Sequence, residues 1–158
     1  MITRRVFVGS LTGGFLAAPL AAKAQPAGEV RRVGYLSMGS PTSPRPLWDE
    51  LLQSLRELGW VENRNIVIEY RWAEGKSDRL PALAAELIRL KVDVIVVGST
   101  PAAVAAKNAT GTIPIVIVAV ADPVRRGLVA SLARPGGNVT GSSFDVDLDT
   151  FGKQLELL

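Results

Sequence analysis

The sequence contains no cysteine and no histidine among its 158 residues. Without histidine, neither a Ser-His nor a Cys-His nucleophile pair can form. Without both residue types, a zinc site has lost its usual ligands. The lack of cysteine also excludes disulfides and a lipid-modified cysteine at an export signal. We therefore expect no metal and no cofactor, although acid–base chemistry on carboxylates and binding of hard cations stay open.

The predicted mature chain has no excess of positive or negative charge. The formal net charge is +3, but Arg4, Arg5 and Lys23 lie in a segment that we expect to be removed. Without these three residues, basic and acidic residues balance at 15 each. The remaining arginine pairs are too short to form the basic stripe that is typical of nucleic-acid binding. We expect no nucleic-acid partner.

An export signal is predicted over residues 1–24. Arg4 and Arg5 give a positive start, residues 6–20 are largely apolar, and Ala22-Lys23-Ala24 offers a cleavage site before Gln25. The apolar stretch is shorter than the ~20 residues that span a bilayer, which favours a cleaved signal over a permanent anchor. Two adjacent arginines also resemble the twin-arginine export signal. We expect a periplasmic protein, exported by either the twin-arginine or the general route.

Strand and helix patterns alternate along the rest of the chain. Two nearly continuous apolar runs, at 92–97 and 114–120, are typical of parallel strands covered on both faces, whereas residues 65–72 alternate as at a sheet edge. A helix beginning near Pro46 has apolar residues at i, i+3, i+4 and i+7 spacing up to Leu58. The predicted strands are 33–37, 65–72, 92–97, 114–120 and 138–141, and further helices begin at Ser77 or Asp78, at Thr100 and at Pro123.

This alternation predicts an α/β fold with a doubly wound, five-stranded parallel sheet in the flavodoxin-like order 2-1-3-4-5. In that order the direction of winding reverses between the first and third strands. Ligands of such sheets bind beyond the carboxyl ends of the strands at this switch point. The loops that follow these two strands, Ser37–Ser43 and Gly98–Pro101, are therefore predicted to line a binding site.

Polar residues in these loops suggest how a ligand would be held. Ser99 and Thr100 precede a helix, where free N–H groups favour an anion such as a ligand carboxylate, although Thr100 could simply cap the helix. Gly39 would let the backbone approach a ligand, although an ordinary flexible loop fits as well. Asp122 could bind a ligand amine or cap the next helix. The candidate ligand-binding residues are Ser37, Met38, Ser40, Ser99, Thr100 and Asp122; none is assigned a catalytic or metal-binding role.

Other aromatic and acidic residues have structural interpretations. We expect Trp48 to fill the core, with stacking on an aromatic ligand as the alternative. Tyr70 and Trp72 are expected to pack at the sheet edge. Glu69 and Glu74 are expected to be solvated carboxylates, because nothing in the sequence pairs them as in a glycosidase.

Several segments resemble a family of ABC-transporter substrate-binding proteins, which includes receptors for tryptophan and other aromatic amino acids. They include 55–59 (LRELG), 65–75 (NIVIEYRWAEG) and, most specifically, 127–141 (GLVASLARPGGNVTG). The resemblance implies a type I periplasmic-binding-protein fold, in which two lobes close over a small solute that is passed to a permease in the inner membrane. Residues 25–141 would form the first lobe, and residues 142–158 the crossover and the start of a second lobe, the rest of which this chain lacks. The chain departs from the family at Arg125-Arg126, where small residues are usual.

We therefore expect the solute-binding component of an ABC importer, with an amino acid among the possible solutes, and not an enzyme. Two alternatives stay open. An exported hydrolase or transferase could use the same scaffold, although no G-x-S-x-G nucleophile motif is present. A sensor lobe could bind a solute and signal to a partner protein.

Overall fold

The computed structural model describes residues 30–144, so the predicted signal segment and most of the predicted crossover lie outside the described residues. Strands and helices alternate as the sequence patterns predict. A 3-10 turn at Ser77–Arg79 precedes the second helix. The elements are β1 Arg31–Ser37, α1 Pro46–Glu57, β2 Ile66–Trp72, α2 Leu80–Arg89, β3 Val94–Val97, α3 Thr100–Ala109, β4 Ile115–Ala121 and β5 Val139–Phe144.

Within residues 30–144, the five strands form one parallel sheet in the order β2-β1-β3-β4-β5, which confirms the predicted fold class and the predicted order of these strands. In register, Tyr35 of β1 lies beside Tyr70 of β2 and Val96 of β3. The winding reverses at β1 and β3, so the loops that leave these strands diverge to opposite faces of the sheet. This divergence opens a space at the carboxyl ends of the two strands.

Two apolar layers cover the sheet. On one face α2 and α3 pack on the strands through fully buried residues such as Leu36, Leu87 and Ile95. On the other face α1 packs through Trp48 and Leu52. Each fully buried Leu or Ile contributes roughly 1.5–3 kcal/mol from the hydrophobic effect, which makes the sheet a rigid base for its loops.

The expected alternation of β2 is present. Ile66 and Ile68 are buried beneath α1, while Glu69 points to the opposite face and forms ion pairs with Arg32 at 3.1 Å and Arg71 at 3.7 Å. Glu74 pairs with Arg79 at 2.6 Å and is more than half exposed. Both carboxylates thus have surface ion-pair roles, and neither faces the other as a catalytic pair would.

Three local predictions were wrong, and the alternative that Thr100 caps its helix does not hold. Leu58 lies beyond the end of α1 and is 75% exposed. Ser77 and Asp78 belong to the 3-10 turn, so Arg79 takes the N-cap position of α2. Thr100 is the first residue of α3, and its N-cap is Ser99. The residues after Pro123 form turns instead of a helix.

The missing helix after Pro123 has a physical cause. Asp122 has a φ of +48°, a left-handed conformation unlike the extended one of a helix N-cap. Farther along, Gly127 has a φ of +65°, and Lys107 Nζ donates hydrogen bonds to the carbonyl oxygens of Gly127 and Leu128. These contacts hold the segment in a turn against α3. Within residues 30–144, no helix is long and apolar enough to cross a membrane.

Candidate functional site

A cavity of about 290 Å³ opens at the carboxyl ends of β1 and β3, the predicted switch point. Its walls come from the ends of β1, β2 and β3, from the loop after β1 and from the start of α1. It is lined by Tyr35, Ser37, Met38, Gly39, Ser43, Pro44, Arg45, Pro46, Leu47, Trp48, Trp72, Val96, Val97, Gly98, Ser99 and Val118.

Three aromatic side chains form one wall of the cavity. The rings of Tyr35 and Trp48 are 4.0 Å apart and tilted by 31°, and Trp72 meets Tyr35 edge-on at 5.2 Å. Behind them Tyr70 lies parallel to Trp72 at 5.9 Å. Tyr35, Tyr70 and Trp72 share one face of two paired strands, and Trp48 reaches them from α1. Rings that fix one another in this way present a preformed apolar surface to a flat ligand.

Trp48 is both a core residue and a cavity residue. It is 3% exposed, as expected of core packing, yet it lines the cavity and its indole Nε1 has no hydrogen-bond partner. Trp72 likewise packs at the sheet edge and lines the cavity. The structural and ligand-stacking interpretations of these tryptophans are therefore compatible.

Arg45 is the one charged side chain among the described residues that line the cavity. Its guanidinium lies 5.4 Å from the ring centre of Tyr70 and 5.5 Å from that of Trp72, at cation–π distances. Its Nε is 3.3 Å from Oδ1 of Asp49. The loop after β1 and the following Pro46, at the first turn of α1, put Arg45 at the switch point.

The loop after β1 is held in shape by its own hydrogen bonds. Gly39 N donates to Ser37 Oγ at 3.1 Å, and Ser40 N donates to Ser43 Oγ at 3.0 Å. The carbonyl oxygens of Ser37, Met38 and Gly39 accept from the backbone N–H groups of residues 73–75 at 2.7–2.9 Å. The loop therefore carries Ser37 and Ser43 on a supported backbone, an arrangement that favours a specific binding role.

Ser99 carries a buried hydroxyl that makes no hydrogen bond. It precedes α3, although its side chain does not cap that helix. Leaving a buried hydroxyl unpaired costs about 1–3 kcal/mol. The first N–H groups of a helix also lack acceptors within it. A residue of the cavity wall thus carries a buried, unpaired hydroxyl beside a helix N-terminus that attracts negative charge.

The predicted site residues divide into two groups. Ser37, Met38 and Ser99 line the cavity, and Ser40 supports it through a 2.9 Å hydrogen bond between its Oγ and that of Ser43. Thr100 instead lines a separate open groove between α2 and α3, and Asp122 is absent from the cavity wall. Ser43 lies in the loop that was predicted to line the site, whereas sequence reasoning gave no ligand role to several other lining residues, among them Tyr35, Arg45, Pro46 and Leu47.

Ionisation of Tyr70, behind the aromatic wall, is expected to affect the stability of the protein at alkaline pH. Burial raises the pKa of its hydroxyl above the ordinary value of 10.0. Because the folded state then holds the proton more tightly than the unfolded state, the stabilisation is complete below pH ~10 and is lost as the pH rises through the folded-state pKa. We expect the free energy of unfolding to fall between about pH 9 and 11, and to fall less steeply in Tyr70→Phe. Urea denaturation across this pH range measures the free energy of unfolding of both proteins. If it falls equally steeply with pH in both, the prediction is wrong.

Comparison with known proteins assigns the chain to a family. Residues 46–158 match the family model described as ABC transporter substrate binding protein. A protein named tyrosine-binding protein, from Clostridioides difficile, is 41% identical over 107 residues, which are 68% of this chain and 30% of that protein.

Solved structures agree with the fold. A ligand-free, open substrate-binding protein with adhesive properties from Clostridium difficile superimposes with a TM-score of 0.69 at 34% identity, covering 81% of this chain and 43% of that one. An ABC domain in complex with L-Trp from Streptococcus pneumonia gives a TM-score of 0.62 at 27% identity, covering 73% of this chain and 39% of that one. The chain thus spans less than half the length of these relatives. It belongs to the family of ABC transporter substrate-binding proteins.

Proposed function

We propose that this protein is the extracytoplasmic solute-binding component of an ABC importer, and that it binds a small organic solute in the switch-point cavity. The observation that carries the proposal is the preformed cavity itself, with an aromatic wall, one cation and one unpaired buried hydroxyl. The names of the relatives, one tyrosine-binding and one in complex with L-Trp, favour an amino acid with an aromatic side chain. The signal predicted over residues 1–24 supports export.

The composition of the cavity wall favours binding over catalysis. The described residues that line it include no Asp, Glu, His, Cys or Lys, so Tyr35 is the one usual general acid or base among them. In residues 30–144, no group of three or more acidic residues could hold a metal ion. A solute held here would therefore leave unchanged.

Calorimetric titration with L-Tyr, L-Trp and L-Phe tests the binding function. We expect one site for at least one of these solutes, and recovery of the solute unchanged after long incubation. Loss of uptake of the same solute in a deletion strain would support the importer role. Release of a product would favour a hydrolase or transferase, and binding without an uptake defect would favour a sensor lobe.

Ser99→Ala separates ligand binding from folding. Because the Ser99 hydroxyl is buried without a partner, its removal should leave the Tm unchanged or slightly raised. If the hydroxyl bonds the ligand, the same change should weaken binding about fivefold to tenfold, the value of one hydrogen bond. Thermal denaturation and calorimetry on the variant provide both numbers. Unchanged affinity would show that the hydroxyl does not contact the ligand.

A further inference from the structure

The guanidinium of Arg45 is only partly used within the protein. Its Nε faces Asp49, and its flat face lies over Tyr70 and Trp72. Within residues 30–144, its ion pair with Asp49 is made through Nε, and its Nη atoms donate no hydrogen bond. A guanidinium has five N–H donors in a planar fork, so four of them stay available on a side chain that lines the cavity. Such a fork matches a carboxylate in a bidentate pair.

The cavity offers no comparable group for a cation. None of the described lining residues is a carboxylate. The carbonyl oxygens of Ser37, Met38 and Gly39 each already accept one backbone hydrogen bond, which leaves one lone pair on each for an ammonium. An aromatic wall alone would attract a cation, but Arg45 already lies over two of the rings and would repel a second positive charge.

We propose that this cavity selects monocarboxylates with a flat apolar body, that Arg45 determines this choice, and that an α-amino group is not required. The apolar body lies against the aromatic wall, and the carboxylate pairs with the Nη groups of Arg45. The inference rests on the proposed function, because it concerns the solute of the same cavity. The solute class is therefore wider than amino acids and includes their amine-free counterparts.

Three ligands with one aromatic group test the proposal: 3-phenylpropionate, L-Phe and phenethylamine, titrated calorimetrically into the full chain. We expect 3-phenylpropionate to bind within about threefold of L-Phe, and phenethylamine to bind at least tenfold more weakly than either. Arg45→Gln should weaken binding of the acid by at least tenfold, as expected for the loss of a charge-assisted pair. Arg45→Lys keeps the charge but loses the planar fork of donors. Its affinity for the acid should lie between those of wild type and Arg45→Gln.

Arg56→Gln is the matched control. Like Arg45→Gln, it removes one positive charge, but Arg56 is exposed in the last turn of α1, whereas Arg45 precedes the first turn. We expect this change to alter each affinity by less than twofold. Two outcomes would overturn the inference and leave the proposed function standing. In the first, L-Phe binds and 3-phenylpropionate binds at least tenfold more weakly. In the second, Arg45→Gln binds the acid as tightly as wild type does. Tight phenethylamine binding would also overturn it. If the aromatic amino acids and all three ligands fail to bind, the proposed function falls together with the inference.

Discussion

Gly141→Ala is expected to lower the free energy of unfolding by at least about 4 kcal/mol, which is an exceptional loss for one methyl group. Gly141 in β5 pairs with Ile117 in β4 and has a φ of +129°, which side chains of L-residues rarely adopt. A Cβ placed there would lie 2.1 Å from the Ile117 carbonyl oxygen and 2.8 Å from its nitrogen. Because both atoms belong to the backbone of a central strand, neither can move aside without breaking the ladder.

Gly137→Ala provides the control for this prediction. Gly137 lies four residues earlier, has no positive φ and leaves open space where a Cβ would stand. We expect it to change the free energy of unfolding by less than about 0.5 kcal/mol, as for most surface changes. Urea denaturation of both variants measures the difference. Equal stability of Gly141→Ala and Gly137→Ala would mean that β5 does not pair with β4 at this register.

Trp48→Ala should combine the second-largest loss of stability with loss of ligand binding. Trp48 is 3% exposed between α1 and the sheet, and truncating such a buried aromatic costs about 3–5 kcal/mol. The same change removes the ring that stacks 4.0 Å from Tyr35 in the cavity wall. We therefore expect binding of an aromatic solute to weaken by at least tenfold.

Two further variants separate the effects of Trp48→Ala. Leu58→Ala, just beyond the end of the same helix, removes an apolar side chain that is 75% exposed, and it should leave stability and binding nearly unchanged. Trp48→Phe keeps an aromatic ring against Tyr35 and should retain the fold with reduced affinity. Denaturation curves and calorimetry on these variants test the account. Undiminished affinity in a folded Trp48→Ala protein would show that this side chain does not contact the ligand.

The segment that carries the most specific resemblance, 127–141, has a structural explanation. Asn138 Nδ2 donates to the carbonyl oxygens of Thr110 and Ile113 at 3.0 and 2.8 Å, which ties β5 to the end of α3. Gly141 permits the close approach of β4 and β5. None of these three contacts lies in the cavity wall. The segment therefore identifies the family through its fold, and the ligand has to be sought in other residues.

The sheet could be predicted from sequence because its signals are local. Buried runs and strand–helix alternation predict a doubly wound sheet, and the flavodoxin-like order, the simplest for this alternation, locates the switch point. Ser37 and Ser99 could be predicted as site residues because they lie where the chain leaves the two strands at this switch point. The predictions failed where a side chain is placed by the tertiary fold: Thr100 turns toward the groove between α2 and α3, and the left-handed backbone at Asp122 takes it out of the expected cap.

Arg45 was missed for a related reason. In the sequence it is one arginine in a proline-rich loop, with no motif to mark it. Its position matters only because β2 brings Tyr70 and Trp72 next to β1, where their rings meet the guanidinium. Because loops at a switch point carry ligand contacts, Arg45 becomes a candidate only when the whole loop before α1 is assigned to the site.

The most direct test of solute binding in this cavity is the indole Nε1–H region of the NMR spectrum, titrated with L-Tyr and 3-phenylpropionate. The protein has three tryptophans, of which Trp48 and Trp72 line the cavity and Trp60 lies at the opposite ends of the strands, beside Ile66 and Val94. We predict that the Trp48 and Trp72 signals shift in a saturable way while the Trp60 signal stays in place. Saturable shifts confined to Trp60, or equal shifts of all three signals, would contradict binding at the switch point.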